Sequence, residues 1–318
     1  MNDILELINN ADNIAILSHI DEDADAFGSS LAMKEMIKNK GKNAVYFLSK
    51  PIEHRLQFLS TDYIVYNEAE SYGDFDLVIC LDCGDEKRLG KRIAIFEKAI
   101  KTINIDHHYT NNSFAEVNRV DGDMSSTGEM IYDLLTEMGE EITKPIAEFL
   151  YCAISSDTGC FKYSCASPKT LVVVSELMKK GIDHAELSRK IFDTETIGAL
   201  RLKGKVMNSI EQYYDGRLSL VTLDEAVFGE YSVVESDVGD VVNIPRSVEG
   251  TEISVSLRKT EGKVKVSLRS NGRYNVGAIA LRLGGGGHEM AAGASLGDIE
   301  LDEAKEKVIK IIGEVING

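Results

Sequence analysis

Residues 13–27 read NIAILSHIDEDADAF, and this stretch decides the fold. Its opening run, Asn13–Ser18, is short, apolar and bounded by polar residues, which predicts a buried strand. His19 follows at once, with Asp23 and Asp25 in the spacing H-x-x-x-D-x-D. Over residues 25–38, Leu31, Met33, Met36 and Ile37 recur at helical spacing, so the strand passes into a helix.

The same alternation continues outward. Residues 43–48 (NAVYFL), 75–81 (FDLVICL) and 102–105 predict a second, third and fourth strand. Near-continuous apolar strands alternating with amphipathic helices mark a parallel sheet covered on both faces. Helices then dominate, over 127–138, 145–154 and 168–180, with Pro145 and Pro168 at helix starts. Residues 193–214 predict a helical connector without a strand. Beyond it the pattern alternates at 217–223, 252–257 and 263–268, the last two joined by a hairpin turn over 258–262. An amphipathic helix over 301–316 closes the sequence. The fold class is therefore α/β: an N-terminal parallel-sheet domain (1–190), a helical linker (191–213) and a smaller mixed-sheet α/β domain (214–318).

Composition narrows the function. A length of 318 residues suits two domains, and 43% hydrophobic with 27% charged residues is globular rather than disordered. No run approaches the roughly 20 apolar residues of a membrane span. Met1, Asn2 and Asp3 do not begin a secretory signal, so a cytoplasmic protein with no membrane partner is expected. Cys80, Cys83, Cys152, Cys160 and Cys165 are odd in number and lie in apolar stretches, which predicts buried reduced thiols. The Cys80–Cys83 pair lacks the second pair that zinc would need.

The net charge of −17 excludes broad binding to long duplex nucleic acid. The charge is uneven. Between residues 244 and 290, Arg246, Arg258, Lys259, Lys263, Lys265, Arg269, Arg273 and Arg282 face only Glu249, Glu252, Glu261 and Glu289. That segment is +4 and leaves −21 for the rest. It suits a small anionic ligand, or else it is solvated charge on a strand pair.

Acidic residues and histidines collect just beyond the predicted strands. His19, Asp23 and Asp25 follow the first, Asp82 ends the third, and Asp106, His107 and His108 end the fourth. Asp157, in SSDTG, follows the predicted helix 145–154. Each alone can be a cap or turn residue, as Asp23 and Asp25 would be for the next helix. Active sites of doubly wound sheets gather beyond the carboxyl ends of the strands, so the three strands deliver their charges to one edge. Converging carboxylates repel unless cations join them. Carboxylate mixed with imidazole suits two divalent ions, manganese best, with magnesium, cobalt or zinc also fitting. Four aspartates and two histidines suffice for two metals with one shared carboxylate, which is a phosphoester-hydrolysing arrangement.

His19-x-x-x-Asp23-x-Asp25, Asp82, Asp106-His107-His108 and Asp157 resemble the four motifs of the DHH phosphoesterase superfamily. The stretch GGGGHEMAAG (284–293) resembles the signature of its associated C-terminal domain. The two-domain form is similar to the oligoribonuclease and pAp phosphatase branch. The resemblance implies that His19 and Asp23 hold one metal, that Asp25, His107 and Asp157 hold the other, and that Asp82 bridges them. It implies that His108 contacts the phosphate and protonates the leaving oxygen, while Asp106 orients a histidine. One departure stands out: the family often has Pro-Asp-Gly-Asp after the histidine, where this sequence reads Asp21-Glu22-Asp23-Ala24-Asp25.

In the second domain, the resemblance favours reading Gly285, Gly286 and Gly287 as presenting backbone N–H groups to a remote phosphate, with His288 supplying charge and Arg269 forking onto it. The bland alternative is a flexible turn. Arg246 and Asn275 are further candidates, and 125–129 (SSTGE) reads as a helix start with a capping pattern. The expected partners are RNAs of two to five nucleotides, pApA-like dinucleotides and pAp, bound between the domains. The sequence is compatible with a homodimer. Alternatives are a cyclic-dinucleotide phosphodiesterase, an inorganic pyrophosphatase, an exopolyphosphatase and a catalytically silent nucleotide sensor.

Overall fold

The computed structural model describes residues 2–234, 241–260 and 262–318. Met1 and Glu261, which the sequence reading used, lie outside the described residues. The chain divides into two units, Met1–Thr194 and Glu195–Gly318.

In the first unit, helix α1 (Asn2–Asn10) leads into β1 (Asn13–Ser18), α2 (Ala24–Asn39), β2 (Asn43–Leu48), β3 (Ile64–Val65) and β4 (Leu77–Leu81). Then come α3 (Ile93–Phe96), β5 (Lys101–Asp106) and β6 (Val117–Val120). The six strands pair in parallel in the order β3-β2-β1-β4-β5-β6. Their continuous apolar sequences have a direct cause. Ile14 and Ile16 of β1 face one core cluster while Ala15 and Leu17 face another. Leu77, Ile79 and Leu81 of β4 likewise alternate with Val78 and Cys80. Both faces are covered, so every position is apolar. The chain runs β1-β2-β3 to one side, then returns to place β4 on the other side of β1. That reversal opens a crevice beyond the carboxyl ends of β1 and β4.

Helices α4 (Thr127–Glu137), α5 (Lys144–Asp157), α6 (Pro168–Met178) and α7 (His184–Phe192) complete the unit. α2 and α5 approach at Gly28, where a Cβ would lie 2.6 Å from the Phe149 carbonyl oxygen. Only glycine allows that approach, which sets the end of α5 against the start of α2.

The second unit contains α8 (Ile197–Asn208), β7 (Glu211–Tyr213), β8 (Leu218–Leu223), α9 (Ala226–Tyr231), α10 (Asn243–Arg246), β9 (Ile253–Thr260) and β10 (Lys263–Ser270). It ends with α11 (Val276–Arg282), β11 (Gly286–Gly287), β12 (Ala291–Ser295) and α12 (Leu301–Asn317). The sheet order is β11-β12-β10-β9-β8-β7. β8 and β9 are parallel and the other pairs antiparallel, so the sheet is mixed.

Several expectations need correction. Asp157 does not follow α5 but is its last residue, because the polar turn Ser155-Ser156-Asp157 stays helical. Ser155 is fully buried and its hydroxyl donates to the Cys152 carbonyl. Pro145 takes the second helical position, after Lys144. The third strand begins at Leu77 rather than 75, and the predicted connector over 193–214 includes the strand β7. β9 runs on to Thr260, so the hairpin turn is shorter than 258–262. Cys80, Cys83 and Cys152 are buried, but Cys160 is half-buried and Cys165 exposed.

Candidate active site

The crevice between β1 and β4 collects the charged residues of the first unit. His19 and Asp82 are the first residues after β1 and β4, and Asp106 is the last of β5. Asp82 takes φ 55°, the left-handed region that non-glycine residues seldom adopt. Its N–H donates to the Ile105 carbonyl at 3.0 Å, which fixes the turn. Held strain of this kind clusters at functional sites.

Asp82 faces two groups at once. Its Oδ2 lies 3.5 Å from His19 Nε2, which is 3.7 Å from Asp23 Oδ2. Its Oδ1 lies 3.6 Å from His107 Nε2, which is also 3.6 Å from Asp157 Oδ2 and 3.9 Å from Asp25 Oδ2. Donors roughly 2.0–2.2 Å from one ion can be at most about 4.4 Å apart, so each separation is compatible with a shared cation. His19, Asp23 and Asp82 form one such set; Asp25, His107 and Asp157 form another. Asp82, His107 and His108 form a third.

The backbone aims these side chains. Asp23 is both the cap of α2, accepting from the Ala26 N–H at 3.0 Å, and a member of the first set. The cap reading and the ligand reading therefore coincide in one residue. Asp25 accepts the Thr127 and Gly128 N–H groups at the start of α4, at 2.8 and 2.9 Å. Thr127 Oγ1 donates to Asp82 Oδ1 at 2.9 Å. His107 Nδ1 sits 3.3 Å from the Met124 carbonyl, which leaves Nε2 toward the carboxylates.

The electrostatics register the crowding. Burial pushes the Asp25 carboxyl well above the usual carboxylate range, and the Asp82, Asp157 and Asp23 charges push it further. Burial likewise raises Asp157 to about 6, with His107 opposing and Asp82 adding to the rise. Burial alone would lower His19, but hydrogen bonds to Asp23 and Asp82 outweigh it and hold the imidazole at about 10. Asp23 answers with a shift down to about 2: burial opposes, and the His19 contact wins. The Asp23 side chain is 52% exposed, so water at the rim moderates both effects of its burial. Carboxylates that raise one another are what a multivalent cation relieves. The oxygen and imidazole donors thus fit divalent ions.

His108 has a separate setting. Its Nδ1 is 2.7 Å from Asp106 Oδ1 and 3.7 Å from Asp82 Oδ1. The Asp106 hydrogen bond raises its pKa, against burial. Asp106 is fully buried, and its Oδ2 accepts from Asn111 Nδ2 at 2.7 Å. Asn111, Thr127 and Gly128 support the site but were not singled out for that role from the sequence. Thr127 and Gly128 lie in the stretch 125–129 that reads as a helix start, whereas Asn111 carries no spacing signal. Burial pushes the Cys83 thiol up to about 12 and Cys80 well above its usual value, so neither is poised as a thiolate ligand.

In the second unit, Arg269 lies on β10 opposite Ala291 of β12, and its Nη1 donates to the Leu268 carbonyl. The His288 N–H donates to Ala291, so Arg269 and His288 flank the same residue. Arg246 joins this end of the sheet through Asn271, whose Nδ2 donates to the Arg246 carbonyl. The glycine run is not a flexible turn. Gly286 and Gly287 pair with Gly293 and Ala292, while Gly284, Gly285 and His288 donate their N–H groups to Leu281, Ala280 and Ala291. The Gly285 N–H, expected to be bare, is thus engaged within the chain, as are those of Gly284 and His288. Gly287 takes φ 141° and a Cβ there would lie 2.5 Å from the Ala292 Cα, so the strand requires glycine. Asn275 caps α11 through the Ala278 N–H and donates to Glu289.

The sequence matches the DHH family, N-terminal domain over residues 13–154, and the DHHA1 domain over residues 224–317. The chain belongs to the DHH family, a family of metal-dependent phosphoesterases, and is a hydrolase of that kind. It is 36% identical over 302 residues to the bifunctional oligoribonuclease and PAP phosphatase NrnA of Thermus thermophilus, covering 95% of this chain and 89% of that one. It is 26% identical over 298 residues to the Bacillus subtilis protein of the same name, covering 92% of each. An exopolyphosphatase-related protein of Bacteroides fragilis superposes with a TM-score of 0.90 at 29% identity, over 99% of this chain and 95% of that one. Among the described residues, no helix is long and apolar enough to cross a membrane.

Proposed function

We propose that this chain hydrolyses short oligoribonucleotides, pApA-like dinucleotides and pAp in the cytoplasm, with two manganese ions. The observation that carries the reading is Asp82, whose two oxygens address two separate donor sets. His19 and Asp23 would hold one ion, Asp25, His107 and Asp157 the other, and Asp82 would serve both. Bound there, the metal pair supplies a water activated near neutral pH and stabilises charge on the phosphoryl oxygens.

The chain's own residues do the rest. Asp106 accepts from His108 Nδ1 and favours the imidazolium, leaving Nε2 as the proton donor to the leaving oxygen. Asn111 keeps Asp106 in place. Thr127 and Gly128 orient Asp25 and Asp82. Arg269, His288 and the strand Gly286–Gly287 bind the phosphate or base that is not cleaved, with Arg246 beside them.

The test is steady-state turnover of pAp, pApA, a five-nucleotide RNA, cyclic di-AMP and pyrophosphate, each with manganese. Turnover of the first three should exceed the other two, vanish on chelation and return with manganese. Preference for pyrophosphate or cyclic di-AMP would overturn the substrate assignment. Full activity in excess chelator would overturn the metal assignment.

A further inference from the structure

Arg92 is among the largest fully buried side chains of the protein, and the proposed reaction does not use it. It lies just after the β4 turn and reaches three other segments. Its Nη1 contacts Glu22 Oε1 at 2.7 Å and donates to the Phe47 carbonyl at 2.7 Å. Its Nη2 donates to the Ser18 carbonyl at 3.0 Å, and its Nε to Leu89 at 3.3 Å. Ser18 directly precedes His19.

Glu22 is equally committed. Its Oε1 also accepts the Ser49 N–H at 2.9 Å, and its Oε2 accepts the Ser49 hydroxyl at 3.1 Å. Both side chains of the pair are 1% exposed. Charged residues are seldom buried unless paired, and the desolvation cost of a buried pair can offset its Coulombic gain. The loop turns at Asp21, which has φ 60° and an exposed contact with Lys50. That turn sends Glu22 inward while His19 and Asp23, on either side, face Asp82. Ile20 is tied to the same region through its N–H to the Arg88 carbonyl at 2.7 Å. The pair therefore fastens the loop between β1 and α2 to the ends of β1 and β2 and to the segment after β4.

We propose that Glu22 and Arg92 are positioning residues that set the spacing of His19 and Asp23, and so the affinity of the metal half those two residues form. This rests on the metal assignment proposed above. Outer residues that hold ligands in place typically change metal affinity by about 10–100-fold.

The test is manganese titration of the intact protein, read by calorimetry and electron paramagnetic resonance, with melting temperature measured in parallel. Glu22→Gln should weaken one of two manganese affinities about 10–100-fold and leave the other unchanged. Arg92→Met strands a buried carboxylate and should lower the melting temperature most. In the Glu22→Leu/Arg92→Met double variant no buried charge is left unpaired, so the melting temperature should recover above that of Arg92→Met, short of wild type because the Ser18, Phe47 and Ser49 groups lose their partners. Its weakened metal affinity should persist, because apolar packing restores the fold without restoring the loop. Recovery of both together would show that the pair serves only the fold and overturn the proposal. So would a folded Glu22→Gln variant that binds both ions as wild type does. A wild-type protein that binds fewer than two ions would instead overturn the metal assignment, and the clamp with it.

Discussion

The two six-stranded sheets of this chain treat charge in opposite ways. In the first, charged residues converge at the strand ends and are buried against each other, so Asp25 and Asp157 are pushed up and His19 is held near 10. In the second, several charged residues sit in simple opposite pairs: Lys259 with Glu300 at 2.9 Å, Arg273 with Glu252 at 2.6 Å, and Arg282 with Glu314. Exposed pairs of that kind contribute little to stability. The mutual repulsion in the first unit is what bound cations would relieve, whereas in the second the proposed recognition role falls to Arg269, His288 and the glycine strand rather than to the paired charges. The first unit should therefore govern turnover and metal content, and the second affinity for the part of the substrate that is not cleaved.

The sharpest break of that division is Asp82→Ala. Asp82 addresses both donor sets, so its loss should abolish turnover and lower metal content from two ions toward none, with the fold retained. Elemental analysis and circular dichroism check this. His108→Ala comes next: a positioned proton donor contributes about 10²–10⁴-fold, so kcat should fall by that factor while both metals stay bound. Equal metal loss in the two variants would erase the distinction between the Asp82 and His108 roles.

The same contrast predicts how metal binding responds to pH. His19 titrates at about 10 without metal, because Asp23 and Asp82 favour its charged form. A ligand must lose its proton to bind, so metal binding releases protons and strengthens as pH rises. Between pH 6 and pH 8 His19 is protonated in the metal-free protein. One proton released over that window should raise the apparent affinity about a hundredfold. Asp157, at about 6, adds a second loss on moving to more acid pH; Asp157→Asn should remove that part of the pH dependence and weaken the ion shared with Asp25 and His107 at every pH. Manganese titrations across pH 5–8 measure both.

How much of this was legible in the sequence depends on the kind of signal. β1 and β2 match their predicted bounds, Asn13–Ser18 and Asn43–Leu48, because a strand buried on both faces writes itself as an apolar run. β3 and β11 have two residues each and leave no period to find. The glycine run 284–287 reads as a turn on composition, yet pairing with β12 makes part of it a strand. Of the residues grouped at Asp82, all but Asp157 are read from strand ends and spacing, and Asp157 from the SSDTG stretch after a helix. Their supports are not, since the Thr127 and Gly128 N–H groups have no letter in a sequence, and Arg92 is 70 positions from Glu22.

The smallest expected effect tests the second unit. Arg269 shares its end of the sheet with His288 and the glycine strand, within a segment that is positive on an acidic chain. Binding energy from a remote group positions the reacting phosphate, so its loss lowers turnover as well as affinity. A charge-assisted hydrogen bond to phosphate contributes roughly 1.5–3 kcal/mol, or about one to two decades in rate constant. Arg269→Ala should therefore reduce kcat/KM for pApA or short RNA by about that factor. A small chromogenic phosphodiester has no remote group, and its hydrolysis should hardly change. Lys259, a half-buried residue on the same hairpin whose ammonium is paired with the exposed Glu300, is the control, and Lys259→Ala should behave as wild type on both substrates. Equal harm to the small and the nucleotide substrates would place Arg269 in support of the fold or at the reacting phosphate, and would end the division of labour between the two sheets.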